Sequence, residues 1–526
     1  MRVLAPWETA WPAGVGLLLL ILGLWGCRDA LRLRALGPLS LGAGLLGLAL
    51  RLWGVPALSR HVYDGHEAEY WDLFTGVRAL SRGGTVLYPS MQWLWAGLGA
   101  VLPHHPAVPV LLMALVGVAS ALGVGEAVGR LFGARAGWAA LAVVLLHPAH
   151  VAWSSSAYNV ILPFGMGALA LLLAVELAQR HRPPLALGLA LGAASMLCVA
   201  TRMDAAPVLG AAGGVLVAFW PSPGMLRPRL RALVPAVVGL LVLIPAVIPL
   251  VYPGELPGAG ERALSFCVNR AWAWPYGPLG EPVGAALFAG LALLALRQRP
   301  LLVGLLLAGA VGAHLGLSTF DDLGERHALV VLPVVALVAG LGALGRLGAA
   351  LLGGLLLVFG AGLLDLRGRF YGSEEAFAEV LTGAPFGDLP RIGVAEAKEG
   401  CGWVNEHPAL AADPPLSHFN LLDPVEADKS RGEGACLRYC LDVQEWRWSS
   451  RAVRDRAARL EHLYALAPLA VVEVPDLGYS CLLYEVGPRR CCAADGGAGV
   501  GGALILPPSA DVLDERGAAP ADPLLP

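Results

Sequence analysis

Four carboxylates fall within the short segment Tyr63-Asp64-Gly65-His66-Glu67-Ala68-Glu69-Tyr70-Trp71-Asp72, just after a hydrophobic stretch and just before the chain turns apolar again. Carboxylates beside a bilayer are costly to desolvate, so a cluster of them there is a candidate for proton transfer at a membrane surface. A membrane-embedded enzyme would keep an acid or base for a lipid-linked substrate in such a place. The competing reading is a solvated acidic loop.

The composition says what must position that segment. The chain has 526 residues, 56% of them hydrophobic and 15% charged, whereas soluble globular chains carry about 25% charge. The sequence therefore reads as a polytopic membrane protein. A net charge of −3, with basic residues in short clusters rather than on one face, excludes a nucleic-acid partner. Apolar stretches of about 20 residues, enough to cross a hydrocarbon layer, are read near 12–27, 36–55, 106–128, 136–152, 159–179, 184–201, 204–220, 231–251, 283–297, 300–317, 327–345 and 347–364. The expected architecture is mainly α: a transmembrane bundle of about twelve helices over residues 1–364, with a loop at 56–105.

Alternate connections carry arginines: Arg28, Arg32 and Arg34; Arg130 and Arg135; Arg180 and Arg182; Arg227, Arg229 and Arg231; Arg297 and Arg299; Arg346. The positive-inside rule makes these cytoplasmic. The connections 56–105, 153–158, 252–282 and 318–326 then face outward, together with the region beyond 365. Leu24-Trp25-Gly26-Cys27 loosely matches a lipoprotein cleavage site. Cleavage there would invert every later loop against the arginine pattern, so the first span reads as a retained helix. Tyr70, Phe74, Val77 and Leu80 have the spacing of an amphipathic helix over 66–82 lying on the outer surface. Residues 86–103, with Tyr88, Trp93 and Trp95 expected at the interface, are too short and aromatic to count as a crossing.

The order and sidedness of these features resemble the GT-C glycosyltransferases. The resemblance rests on the acidic loop, then Leu87-Tyr88-Pro89-Ser90-Met91-Gln92-Trp93-Leu94-Trp95, then Val128-Gly129-Arg130-Leu131-Phe132-Gly133 closing a helix on the inner side, then Arg326-His327-Ala328-Leu329-Val330-Val331-Leu332-Pro333. The branch it looks most like is the bacterial one of protein mannosyltransferases and lipid A aminoarabinose transferases, over roughly residues 36–345. No single motif is specific to the family. The resemblance implies an inverting hexosyl or pentosyl transferase of the cell envelope, in the inner membrane, with its active site outward. Its partners would be a polyprenyl-phosphate-sugar donor, a lipid, glycan or protein acceptor, and membrane lipid.

The family's first loop usually reads Asp-Glu-Ala-x-x-Tyr or similar, with the aspartate as base. This chain has His66-Glu67-Ala68-Glu69-Tyr70, with histidine in the aspartate's place. Glu67 and Asp64 rank first as base and His66 third, since imidazole titrates near neutrality. The departing polyprenyl phosphate needs a cation, which arginine supplies through its planar fork. Arg326 matches the arginine of the family's Arg-Tyr pair, with His327 replacing the tyrosine. Arg202, in Thr201-Arg202-Met203-Asp204, ranks second, an internal pair with Asp204 being the bland alternative. Arg270, among Trp272, Trp274 and Tyr276, would contact sugar or lipid. Tyr70 and Asn159, the latter in the second outward loop, complete the substrate-binding set. A lipid or solute transporter is the rival from another class, and a degenerate binding protein on the same scaffold is the third reading.

No required cofactor is evident, a divalent cation stays open, and no metal site is assigned. His147 and His150 have a spacing that permits metal coordination on a helix, but a structural histidine pair is favoured there, as it is for His104 and His105. Asp321, Asp322 and Glu325 would orient Arg326, hold a divalent cation or cap the next helix, and the cap is favoured. Beyond 365 the pattern turns to that of a small extracytoplasmic α/β domain over 365–493, with strand candidates at Val394, Val471 to Val474 and Leu482 to Tyr484 and a helix over 449–466. Cys401, Cys436, Cys440, Cys481, Cys491 and Cys492 suggest disulfides in an oxidising location, with fifteen pairings open and a metal site as the alternative. The Gly-, Ala- and Pro-rich tail 494–526 reads as disordered.

The arginine pattern makes a direct prediction about sidedness. In intact cells, an impermeant thiol reagent should label a cysteine placed at Ser81 and spare one placed at Ala134; the reverse pattern would put the acidic segment on the inner side.

Overall fold

The structure, a computed structural model, describes residues 6–53, 73–76, 89–105, 107–155, 161–201, 208–219, 230–231, 233–234, 280–317 and 329–367, and five strands between 391 and 489. The chain divides into two compact units, residues 1–367 and 368–526.

The first unit is helical: α1 (Pro6–Gly26), α2 (Leu39–Leu52), α3 (Pro89–Gly99), α4 (Ala107–Phe132), α5 (Ala134–Leu146), α6 (Pro148–Ser154), α7 (Ile161–Gln179), α8 (Leu185–Thr201), α9 (Gly210–Ala218), α10 (Gly280–Gln298), α11 (Pro300–Leu317), α12 (Leu332–Gly342) and α13 (Arg346–Arg367). Among the described residues, α4, α7 and α13 are each long and apolar enough to cross a membrane alone. The stretch read as one span over 136–152 is instead two helices bent by 60°. Pro148 is the cause: it has no N–H to continue the ladder of α5, and its ring suits the first position of the next helix. Apart from 231, 233 and 234, the span read at 231–251 lies outside the described residues.

Close helix contacts follow the glycines. On α1, Gly23 faces Ala190 of α8 so tightly that a Cβ would meet the Ala190 backbone N at 2.7 Å. Gly16 against Met196 and Gly26 against Ala186 continue the seam, which runs antiparallel. A Cβ on Gly137 would lie 2.7 Å from Gly125 O and 2.8 Å from Gly129 Cα, so α4 and α5 touch through backbone. Gly133, at φ +94°, turns the chain between them. Small residues that admit backbone contact are the usual means of packing helices where lipid is as apolar as the side chains. Helix α12 is the centre: all eleven of its residues are buried. Around the outside, Leu18, Ile21 and Leu22 of α1, Leu45 of α2 and Leu357 of α13 are exposed, as lipid-facing positions would be.

One end of the bundle is knotted by charge. The Glu126 carboxylate, fully buried, accepts from the backbone N–H groups of Arg34, Ala35 and Leu36 at 2.9–3.1 Å. It also accepts from Arg130 Nε at 2.8 Å. Arg130 reaches Glu176 and the Arg32 carbonyl, and Arg180 pairs with Glu176 as well. Arg130, read from the sequence as a connection residue, is therefore part of a buried network with its side chain 7% exposed.

In the second unit the strands are β1 (Arg391–Val394), β2 (Phe419–Asn420), β3 (Leu437–Asp442), β4 (Tyr464–Val474) and β5 (Tyr479–Arg489). They form one sheet in the order β2-β1-β3-β5-β4, parallel across β2-β1-β3 and antiparallel across β3-β5-β4. The strand candidates lie in β1, β4 and β5. The expected helix over 449–466 is overruled at its end, since Tyr464–Leu466 belong to β4. Pro468 sits in β4 at the sheet edge, where a missing ladder donor is tolerated. Cys440 and Cys481 stand on neighbouring strands two register positions apart, with Cys481 opposite Asp442. The other four C-terminal cysteines and the tail 494–526 lie outside the described residues.

Removing Glu126 leaves three backbone N–H groups without an acceptor in a buried site and takes from Arg130 one of its two carboxylate partners. Glu126→Ala should therefore cost about 3–5 kcal/mol, read as a large fall in melting temperature in detergent, with Glu126→Gln milder because its amide oxygen still accepts. Equal melting temperatures for Glu126→Ala and wild type would contradict this.

Candidate functional site

The candidates Asp64, His66, Glu67, Tyr70, Asn159, Arg202, Arg270 and Arg326 all lie outside the described residues, as do Asp321, Asp322 and Glu325. The helix ends that lead into and out of their connections are described, and these gather at one end of the bundle. Residues 34–36 next to α2, the C-terminal turn of α4 and the end of α7 meet in the Glu126 network. Gln179 at the end of α7 donates to Arg130 O at 2.7 Å. Helix α8 starts beside the end of α1 and runs antiparallel to it. Gly340 near the end of α12 packs on Ala136 at the start of α5, and Gln298 at the end of α10 donates to Leu341 O at 3.1 Å. The opposite ends, Arg51 of α2, Ser155 after α6, Ile161 of α7, Thr201 of α8, the start of α10 and Leu329 before α12, therefore share the other end. The connections carrying Asp64 to Tyr70, Asn159, Arg202, Arg270 and Arg326 all issue from there.

Two polar or aromatic clusters brace this end. The first is built on Arg51, a residue the sequence analysis passed over. Its side chain is fully buried in the last turn of α2. Nη1 donates to Gly47 O at 2.9 Å, and Nη2 donates to His150 Nδ1 at 2.7 Å and, at a long 3.4 Å, to Leu145 O. Ser120 Oγ donates to Gly117 O at 2.7 Å and lies 3.1 Å from His150 Nε2. The hydroxyl proton is committed to the carbonyl, so His150 must donate from Nε2 and accept at Nδ1: a neutral Nε2–H imidazole. His147 caps α6, its Nδ1 accepting from His150 N at 3.3 Å, and its ring meets Phe359 at 5.3 Å. Both nitrogens of His150 and Nδ1 of His147 are thus engaged within the protein, which leaves a shared metal no face to bind. Among the described residues no cluster of three metal-ligating side chains exists.

The second cluster holds the far side of the acidic segment. Only 73–76 of the expected amphipathic helix is described, and Leu73 and Phe74 are buried. The Phe74 ring meets Trp95 edge-on at 6.1 Å and His104 at 5.6 Å, while His104 Nε2 bonds Gly99 O at 2.9 Å. A side chain at Gly99 would strike the Phe74 carbonyl. Trp95 is fully buried within the protein, packed edge-on against Phe74. Helix α3 in turn packs on α1 and α8. His105 Nδ1 accepts from Ala107 N at 3.2 Å, a local structural bond.

The signals that would have found these groups are simple ones. A lone arginine within an apolar run marks a satisfied or functional intramembrane charge. Glu126/Arg130 and Glu176/Arg180 repeat a helical i,i+4 pairing on two helices.

No protein-family profile and no curated protein matches this chain. The solved structures similar to it include two crystal structures of ArnT from Cupriavidus metallidurans, one in the apo state and one bound to undecaprenyl phosphate. Each is 15% identical and covers 84% of this chain and 97% of its own, with TM-scores of 0.49 and 0.48. Scores below one half at this identity leave the chemistry to be read from the chain's own residues.

The brace predicts that Gly99→Val frees the segment at 73–76. Hydrogen exchange there should rise by about tenfold or more, as expected when a packed segment opens locally; unchanged protection would show that the Phe74–Gly99 contact holds nothing.

Proposed function

We propose that the chain is an integral membrane glycosyltransferase that moves a sugar from a polyprenyl-phosphate-linked donor to an acceptor at the outer face of the inner membrane. The observation that carries the reading is the gathering, at one end of the bundle, of the helix ends that lead to every candidate acid, base and phosphate-binding arginine. The arginine-rich connections issue from the other end, so the positive-inside rule turns the candidate end outward.

In this reading a carboxylate of the acidic segment, Glu67 or Asp64, takes the proton from the acceptor hydroxyl as its oxygen bonds to the anomeric carbon. The bond from that carbon to the phosphate oxygen breaks, configuration inverts, and the phosphate leaves with the bonding electrons. Arg326 and Arg202 meet the developing phosphate charge, because donors aimed at charge that grows in the transition state contribute most to rate. Arg270 and Tyr70 line the sugar or lipid, and Asn159 replaces a second carboxylate. No residue in this scheme calls for a divalent ion.

A specific observation favours the transporter reading: the break at His147-Pro148 puts two histidines and Arg51 on a broken helix, as transporters do near mid-membrane. The cluster is closed, however. Arg51, His147 and His150 are fully buried, and among the described residues the bonds of Arg51 and His150 run to each other, to Ser120 and to backbone carbonyls rather than to a water-lined cavity.

The test is transfer from radiolabelled polyprenyl-phosphate sugars by the purified protein. Glu67→Gln or Asp64→Asn should lower turnover by about a hundredfold or more with donor binding nearly intact, because a base acts in the transition state. Arg326→Ala should weaken donor binding too, since the phosphate is charged before reaction. A base must be unprotonated, so if His66 serves, His66→Ala gives the larger loss and wild-type activity falls below about pH 6.5. Transfer unchanged in all three loop variants would reduce the segment to a solvated loop.

A further inference from the structure

A fully buried arginine that meets no carboxylate among the described residues needs another source of compensation, because an uncompensated charge in a low-dielectric site is strongly destabilising. The geometry supplies one. Arg51 lies in the last turn of α2 and reaches the Leu145 carbonyl in the last turn of α5. Two helix C-termini thus turn their negative dipole ends toward one guanidinium, and α5 adds the carbonyl of Leu145 from its last turn. The break at Pro148 is what makes the second C-terminus: it strips carbonyls of α5 of their donors, and in hydrocarbon these need partners from the protein. The same guanidinium holds His150 on α6, and Ser120 of α4 completes the chain. Helix α4 comes close enough to pack here because Gly117 has no side chain; a Cβ there would be 3.1 Å from Arg51 Nε.

We infer that Arg51 is a positioning residue for the site at this end. Its planar fork locks the α5–α6 bend in one orientation, and so fixes Ser154, Ser155 and the start of the connection that carries Asn159. This rests on the proposed function for its consequence, though not for its geometry. Lysine cannot substitute, because a point charge on a flexible stem does not bridge three acceptors on α2, α5 and α6 at once.

The experiment places a cysteine at Ser155 and reads its rate of maleimide labelling by peptide mass spectrometry, in purified protein in lipid nanodiscs. Melting temperature, undecaprenyl phosphate binding and transfer kinetics are measured in parallel. Arg51→Lys should keep a near-native melting temperature, while labelling at 155 rises severalfold and turnover falls by about a hundredfold, the scale of a misplacement near 1 Å, with donor KM within about twofold. Should Arg51→Met fail to fold, the paired variant Arg51→Met/His150→Leu removes both polar partners, and its stability should recover with labelling still raised. Wild-type labelling and turnover in Arg51→Lys, or their return in the paired variant, would overturn the proposal and leave Arg51 as packing. If wild type neither binds undecaprenyl phosphate nor transfers sugar, the glycosyltransferase reading fails, and labelling at 155 still decides the role of Arg51.

Discussion

A carboxylate buried in an apolar bundle keeps its charge only if donors surround it, and the donors around Glu126 come from parts of the chain some ninety residues apart. Three are backbone N–H groups in the turn between α1 and α2, and the fourth is an arginine one turn further along α4. Because that arginine also reaches α7, one ionic knot fixes the relative heights of α2, α4 and α7. Heights set at one end propagate along rigid helices, so the knot also determines which residues arrive together at the other. The candidate site is downstream of a contact on the opposite side of the bundle.

At that opposite end the requirement is the same and the solution inverted. A cation takes the place of the anion, and helix ends take the place of side-chain counter-ions. Arg51 tolerates burial because Pro148 creates a helix C-terminus where an uninterrupted span would have none. The break and the arginine are therefore two halves of one feature: without the arginine the broken helix leaves bare carbonyls in an apolar layer, and without the break the arginine faces fewer acceptors. The aromatic brace of Phe74, Trp95 and His104 does for the far side of the acidic segment what Arg51 does for the near side. The described residues on either side of the segment, the end of α2 and residues 73–76, are thus each held in the bundle.

The long helices were legible because hydropathy alone specifies them: 106–128, 159–179 and 347–364 lie within or closely match α4, α7 and α13. What hydropathy could not show is where an apolar run stops being one helix. Residues 136–152 are apolar throughout yet split at Pro148, and in the run at 327–345 the described apolar helix covers Leu329–Gly342, entered through a 3-10 turn at 329–331. Arg130, read both among the connection arginines and in the stretch closing a helix, stands in the last turn of α4, and what arginine counting could not show is its partner: Glu126 lies one turn before it, and the pair buries itself. Trp95 was read as an interfacial aromatic, and that it is buried within the protein against Phe74 is a contact no local pattern encodes. In the C-terminal unit, Tyr464–Leu466 sit at the join between a helix-like pattern and the apolar run of β4, and strand pairing with β5 decides them. Of the candidate site, the sequence supplied residue types and order, and the bundle supplies the common end at which their connections issue. The groups that brace that end, Arg51 above all, were overlooked because a single charge inside an apolar run leaves the average hydropathy nearly unchanged.

The central claim is that a lipid-linked phosphate is handled at the end of the bundle where these connections issue. Photo-crosslinking with a diazirine-bearing undecaprenyl phosphate, followed by peptide mapping, addresses it most directly. The account predicts adducts confined to peptides from 54–105, 156–160, 202–207, 252–279 and 318–331, competed away by unlabelled undecaprenyl phosphate. Adducts concentrated instead on the arginine-rich connections around Arg28 to Arg34, Arg130 to Arg135 and Arg180 to Arg182, or spread without competition over the lipid-facing surfaces of α1 and α13, would contradict it.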